Sequence, residues 1–473
     1  MSLAIINGDI FDKEEKNVYI EGSRIKKLGK IEDLIDGDTE IIDAEEKTVI
    51  PGFFDSHTHF AAMGTAMEND VSECKSIEEI IGITEKKRLN IVRGWDETIF
   101  KEKRYILKKD LDAVDFPVIA VRVCGHLAAL NSAAIEKIDL NELDPAFYNL
   151  EKGIFREGNI SKIMKMYPKT TEDYMRGIEA ATERAYSLGV TSVVDTVNPQ
   201  IFRAYERMAY TGELGIRAHL YMKASHIDSI VNSGLSRIGS EKLWFNGIKI
   251  FTDGSLGART AALSFNYNES DENGDLLYGN DKLTELIQKA DENELQAMIH
   301  CIGDRAINQV LDSLERVSGT MRHKLEHVEI TDIKIRKRIK EMDIPCSLQP
   351  NFLKWSKNMY VERIGAKSKL NNRYRKMMEK GIKMGFGSDC MPFSPLFGIK
   401  WAVNDPYDEG ISVEEAIRLY TKGSAYLAYR KKDLGSIEEG KLADLVILSE
   451  SIDSEEIERI DVERTIFDGV IVL

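Results

Sequence analysis

His57 and His59, in the segment DSHTHF, stand two residues apart. On an extended strand that spacing turns both imidazoles to one face, so two nitrogens can reach a single metal ion. Two structural histidines would share the spacing, and the tripeptide alone leaves both readings open. His300 in AMIHCIGD, His327 in KLEHVEI and Asp389 in GFGSD each lie near the end of a separate short apolar run. Four imidazoles and a carboxylate converging from separate strand ends form a ligand set suited to zinc or a similar borderline divalent ion. Structural roles do not account well for five such residues together. Lys249, in GIKIFTDG, falls where strand alternation turns its side chain inward among those groups. A protonated amine is disfavoured there by desolvation and by neighbouring cations, whereas a neutral one can take up CO₂ as a carbamate whose two oxygens bridge two metals. A lysine escaping to solvent at the strand end is the alternative.

These residues need a scaffold that brings separate strand ends to one place. Short apolar runs alternate with amphipathic helical stretches through the middle of the chain, the pattern of a parallel sheet with crossover helices. Eight runs are counted: GFFDSHTHF from Gly52, GVTSVVDTV from Gly189, IRAHLYM from Ile216, GIKIFTDG from Gly247, LQAMIHCIG from Leu295, HKLEHVEI from His323, IPCSLQPN from Ile344 and IKMGFGSD from Ile382. The fold expected is α/β, a distorted (β/α)8 TIM barrel, whose active sites occupy the C-terminal face of the strands. The gap after the first run exceeds one helix, so residues 65–170 are expected to form an insertion with its own elements, positioned to cover a barrel mouth. Residues 1–51 and 432–473 alternate in short strands around turns, which predicts an antiparallel sheet at the N-terminus and a composite β-sandwich built from both ends. The barrel domain then spans 52–431.

Composition narrows the partners. With 79 acidic against 64 basic side chains the formal charge is −15, which repels polyanions, so no nucleic acid is expected and the substrate is expected to be a small molecule. No apolar stretch approaches a membrane span, and the first residues lack the basic start of a signal peptide, so a cytoplasmic protein with no membrane partner is expected. Five widely spaced cysteines with no CxxC argue against a disulfide framework and against a cysteine zinc site. A homodimer is the default assembly.

The segments PGFFDSHTHF, GIKIFTDGSLGARTAAL, IHCIGDRA, LEHVEI, GSD and LGSIEEGKLADLVIL resemble the amidohydrolase superfamily, and with IVRGWDE and GHLAALNSAA in the insertion they resemble its YtcJ-like branch. The resemblance implies that His57 and His59 bind a buried metal, that His300 and His327 bind a more exposed one, and that carbamylated Lys249 bridges them. Asp389 would contact metal and serve as general base, then as acid to a leaving nitrogen. One or two divalent metals per chain are implied, and an activity on an amide-like C–N bond: amide, formamide, N-acyl or cyclic amide. A deaminase of the same fold is the alternative, and a binding or scaffold protein that kept the barrel without its chemistry is a second. Trp95, His126 and Glu157 in the insertion are candidate substrate contacts, as are Asp253, Asp304 and Arg305 beyond the fourth and fifth runs; a loop-fixing role is the alternative for each. Trp355 is a candidate apolar wall, and His219, His226 and His323 are read as structural.

Overall fold

The computed structural model describes residues 2–67, 70–84, 90–319, 321–452 and 459–473. Its central sheet holds eight parallel strands: β1 (Phe53–Thr58), β2 (Val190–Val197), β3 (Arg217–Lys223), β4 (Leu243–Phe251), β5 (Gln296–Cys301), β6 (Lys324–His327), β7 (Cys346–Leu348) and β8 (Met384–Phe386). Each of the eight apolar runs supplies one strand, and neighbours in sequence are neighbours in the sheet. The ends of the sheet approach each other where the backbone N–H of Asp389 donates to the carbonyl of His57 at 2.8 Å, and that of Ser388 to Asp55 Oδ1 at 2.9 Å. Gly387 makes this seam possible, since a Cβ there would lie 2.5 Å from the His57 backbone nitrogen. The result is a nearly closed (β/α)8 barrel.

Crossover helices follow from local signals. Pro199–Thr211 starts with Asn198 accepting the N–H of Ile201, carries Pro199 in its first turn, and stops at Gly212 in the left-handed region, φ 80°. It buries Ile201, Ala204, Tyr205 and Met208, one stripe of an amphipathic helix. Asp304–Arg316 after β5 and Ile333–Glu341 after β6 bury comparable stripes.

The two chain ends build a β-sandwich. Asp9–Ile10 and Thr48–Pro51 join Leu445–Leu448, Val462–Phe467 and Val470–Ile471 in one sheet; Arg24–Leu28, Val18–Glu21, Ser2–Ile6 and Thr39–Asp43 form the other. Leu3, Ile5, Val18, Ile20, Val49, Leu445, Ile447 and Ile466 share the core between them. Neither sheet is antiparallel throughout as expected: Thr39–Asp43 runs parallel to Ser2–Ile6, and Asp9–Ile10 runs parallel to Thr48–Pro51. The helical turn Glu32–Leu34 lies in the connection that carries the chain from Arg24–Leu28 at one edge of its sheet to Thr39–Asp43 at the other, a crossover of the kind that parallel strands need.

The insertion is a compact unit, Ala61–Ala181, around a five-stranded sheet that includes Asn90–Trp95 and Val118–Arg122. Its hydrophobic residues pack on both faces of that sheet, Trp95 and Phe100 on one side, Ile119 and Phe155 on the other. None of the described helices is long and apolar enough to cross a membrane. All five cysteines are free thiols.

Candidate active site

Strand β1 buries its six residues and delivers Asp55 and His57 on one side of the pleat, with His59 just beyond its end. Asp389 follows β8 in left-handed conformation, φ 51°, and so does Cys390, φ 57°, a turn that directs the carboxylate back across the seam. His57, His59 and Asp389 each offer a ligand atom, and the three atoms lie within 4.8 Å of one another. Asp389 Oδ1 is 3.3 Å from His59 Nε2 and 3.6 Å from His57 Nε2, yet makes no hydrogen bond of acceptable geometry with either. Three donors close together and not bonded to one another have the disposition of ligands around a shared ion. Lys249 joins them from β4, its Nζ 3.3 Å from His57 Nε2.

His327 and His300 form a ring pair beside this group. The His327 ring lies 4.7 Å from that of His57 and 4.5 Å from that of His300. His327 Nδ1 is buried without a partner. His300 Nε2–H donates to the Gly254 carbonyl at 2.9 Å, which leaves Nδ1 as the nitrogen able to take a metal. His327 is aimed by its backbone: on a regular strand it would point opposite to Glu326, but φ turns positive at His327 (71°) and Val328 (49°) and redirects the ring.

The electrostatics suit a cation. Burial lowers His57 to about 4 and holds His327 well below the usual imidazole range, so both rings are neutral with lone pairs to give. Burial works to raise Asp389, and the neighbouring His57, His59 and Lys249 outweigh it, so the carboxyl stays below its ordinary value and ionised. Burial pulls Lys249 down to about 8 against the pull of Glu326 and Asp389. A partly buried, ionised carboxylate, neutral imidazoles and an amine with a lowered affinity for its proton therefore fit a divalent metal. His57, His59 and Asp389 are the residues that could hold it; His300, His327 and a carbamate on Lys249 could complete a second position.

Three residues that the sequence analysis did not single out support this group. Glu326 accepts the Nδ1–H of His57, and its other oxygen lies 3.0 Å from Lys324 Nζ; both side chains are fully buried. Although burial pushes Glu326 up, Lys324 and His57 hold its carboxyl at about 2. Their signal was legible in KLEH, where two charged residues alternate with two others on a strand buried on both faces. Phe352, after β7, lies parallel to the His327 ring, centroids 6.0 Å apart and planes at 7°. Trp355 stands behind it, packed on Phe352 and Tyr360, so Phe352 and not Trp355 meets the histidine.

The remaining candidates divide. Trp95 is completely buried in the insertion core with its indole N–H donating to the Ala120 carbonyl at 3.0 Å, which removes it as a substrate contact. His126 and Glu157 are exposed on the insertion and neighbour one another, the Glu157 N–H donating to the His126 carbonyl at 3.1 Å. Asp253 is buried and accepts the backbone N–H groups of Ala262, Ile302 and Gly303 at 2.8 to 3.0 Å. Asp304 accepts the N–H and hydroxyl of Ser264, and Arg305 donates to the Gly274 carbonyl. Asp253, Asp304 and Arg305 thus fasten the long loop after β4; the loop-fixing alternative is the one their bonds favour. His219 is buried against Phe54, and His323 Nδ1 accepts the Ala297 N–H at 2.9 Å.

Comparison with known proteins agrees with this geometry. Residues 40–473 match the model of the amidohydrolase family. The amidohydrolase YtcJ of Bacillus subtilis is 31% identical, over 96% of this chain and 95% of its own. An N-substituted formamide deformylase of Arthrobacter pascens is 25% identical over 99% and 98%. A solved metal-dependent hydrolase from Pyrococcus furiosus superposes with a TM-score of 0.82 at 33% identity, covering 94% of this chain and 98% of that one. Family match, relatives and site together place the chain: it belongs to the amidohydrolase family.

Proposed function

We propose that this chain is a metal-dependent hydrolase that directs water onto the C–N bond of a small amide-like molecule: an amide, formamide, N-acyl compound or cyclic amide. The observation that carries the reading is the approach of His57, His59, Lys249 and Asp389 at the C-terminal ends of β1, β4 and β8. The likeness to a formamide deformylase over almost the whole chain supports the bond class.

In this reading His57 and His59 would hold one zinc or similar ion and His300 and His327 a second, with Lys249, as a carbamate, a ligand that both could share. When bound, such an ion supplies a water acidified toward neutral pH and a Lewis acid for the carbonyl oxygen. Asp389, ionised at the site, accepts the proton of the attacking water and returns it to the departing nitrogen. Of the two buried lysines facing this site, Lys324 is committed to Glu326 at 3.0 Å, whereas among the described residues Lys249 has no carboxylate partner. Lys249 is the one free to become neutral and carry CO₂. A deaminase of this fold needs no bridging lysine, so the burial of Lys249 beside His57 favours amide hydrolysis.

The test is elemental analysis of protein purified without chelator, with and without added bicarbonate, followed by a screen of N-formyl and N-acyl compounds for amine release. One or two equivalents of metal per chain, reduced in His57→Ala and Lys249→Ala, support the reading. No specific metal uptake under either condition overturns it.

A further inference from the structure

The interior of a parallel barrel is normally filled by branched apolar side chains. Here β6 sends two charges into it. Lys324 and Glu326 are fully buried and paired at 3.0 Å. Glu326 reaches across to β1 and accepts the Nδ1–H of His57, while Lys324 Nζ donates to the Ser56 carbonyl at 3.3 Å. Two buried charges are costly, and an apolar pair of similar volume would often serve the fold as well or better. Their cost is not explained by packing of the barrel. It is explained by what they do to His57.

An imidazole whose Nδ1–H is held by a carboxylate has only its Nε2 lone pair to give, and its ring cannot rotate away. His57 Nε2 is the atom that lies 3.3 Å from Lys249 Nζ and 3.6 Å from Asp389 Oδ1. Lys324 fixes the carboxylate that fixes the histidine, and through Ser56 it is anchored to the strand that carries His57. We propose that Glu326 and Lys324 form a positioning relay that selects the Nδ1–H form of His57 and presents its Nε2 as a preformed metal ligand. The proposal rests on the reading of His57 as a ligand and goes further by naming what prepares it.

The probe is Zn²⁺ itself, its affinity measured by competition with a chromogenic chelator, with the visible absorption of the Co²⁺-substituted protein as a second readout. Glu326→Gln keeps the shape of the side chain but can donate its amide N–H to Nδ1, which moves the ring proton to Nε2. Lys324→Met combined with Glu326→Gln removes both charges, so that no ion is left buried alone. Both proteins are expected to bind Zn²⁺ about 10- to 100-fold more weakly than the unmodified chain, with an altered Co²⁺ spectrum. Asp444→Asn breaks the buried pair that Asp444 makes with Arg217 at 2.7 Å, away from this site, and is expected to lower stability while leaving Zn²⁺ affinity and the Co²⁺ spectrum unchanged. If folded Glu326→Gln and the double variant bind Zn²⁺ within twofold of the unmodified chain, the relay is overturned while the metal reading stands. An equal loss in Asp444→Asn would also overturn it, by tracing the effect to general destabilisation. An unmodified chain that takes up no metal would instead fail the functional reading.

Discussion

Lys249 Nζ stands 3.3 Å from His57 Nε2 in the buried barrel interior, without a carboxylate partner among the described residues. A buried ammonium in that position is a liability for folding, and under the proposed function it would serve as a carbamate shared by two metals. Lys249→Ala is therefore expected to lose metal and turnover together. A short carboxylic acid such as propionate, able to occupy the vacated volume, is expected to restore part of both. Metal content and amine release at increasing propionate check this, and full metal binding in Lys249→Ala without any added acid would remove the bridging role.

Asp389 is expected to be separable from metal binding. Asp389→Asn keeps size and one oxygen but cannot accept the proton of water. Turnover is expected to fall by about 10² to 10⁴ while most of the metal remains. Elemental analysis beside kcat on the same preparation distinguishes the two effects; unchanged turnover would exclude Asp389 as the base.

Much of this architecture was legible because a parallel barrel writes itself as buried runs, and all eight became strands with His57, His300, His327 and Asp389 at or near their C-terminal ends. Two kinds of feature were not. The first is side-chain direction where the backbone leaves the strand: His327 at φ 71° and Asp389 at φ 51° point where no alternation rule would send them. The second is the choice between equally polar roles. Asp253 looked as available to substrate as any loop carboxylate, yet three backbone N–H groups occupy it, a fact of tertiary path. Trp95 ended in the insertion core because its indole N–H finds a carbonyl there, which lets a large aromatic ring be fully buried.

Gly387→Ala tests the seam. A Cβ at Gly387 would meet the His57 backbone nitrogen at 2.5 Å and the His57 Cβ at 2.9 Å, and backbone cannot move aside as a flexible side chain can. Overpacking of this kind costs about 1 to 3 kcal/mol or more, and here the displaced atoms belong to a candidate ligand. A lower melting temperature together with weakened metal retention is expected; loss of neither would show that the seam can spread without cost.

The barrel and the terminal sandwich are joined by charge. Arg217, fully buried on β3, donates to both oxygens of Asp444 at 2.7 and 2.9 Å and to Asp468 Oδ1 at 2.8 Å. Removing one partner leaves a buried guanidinium short of countercharge, so Asp444→Asn is expected to cost about 3 to 5 kcal/mol in denaturant unfolding. The same cluster sets a pH dependence. Burial works to raise Asp468, but its bonds to Arg217 and Lys242 win and the carboxyl lies below its ordinary value when folded. A depressed carboxyl contributes stability that is fully present above the unfolded value, about 3.9, and is lost as pH falls through the lower folded one. The stability advantage of the unmodified chain over Asp468→Asn should accordingly be constant near neutrality and shrink in acid below about pH 4. Urea midpoints for the two proteins across that range provide the measurement, and a difference that stays level into acid would mean that the Asp468 carboxylate does not stabilise this junction through its charge.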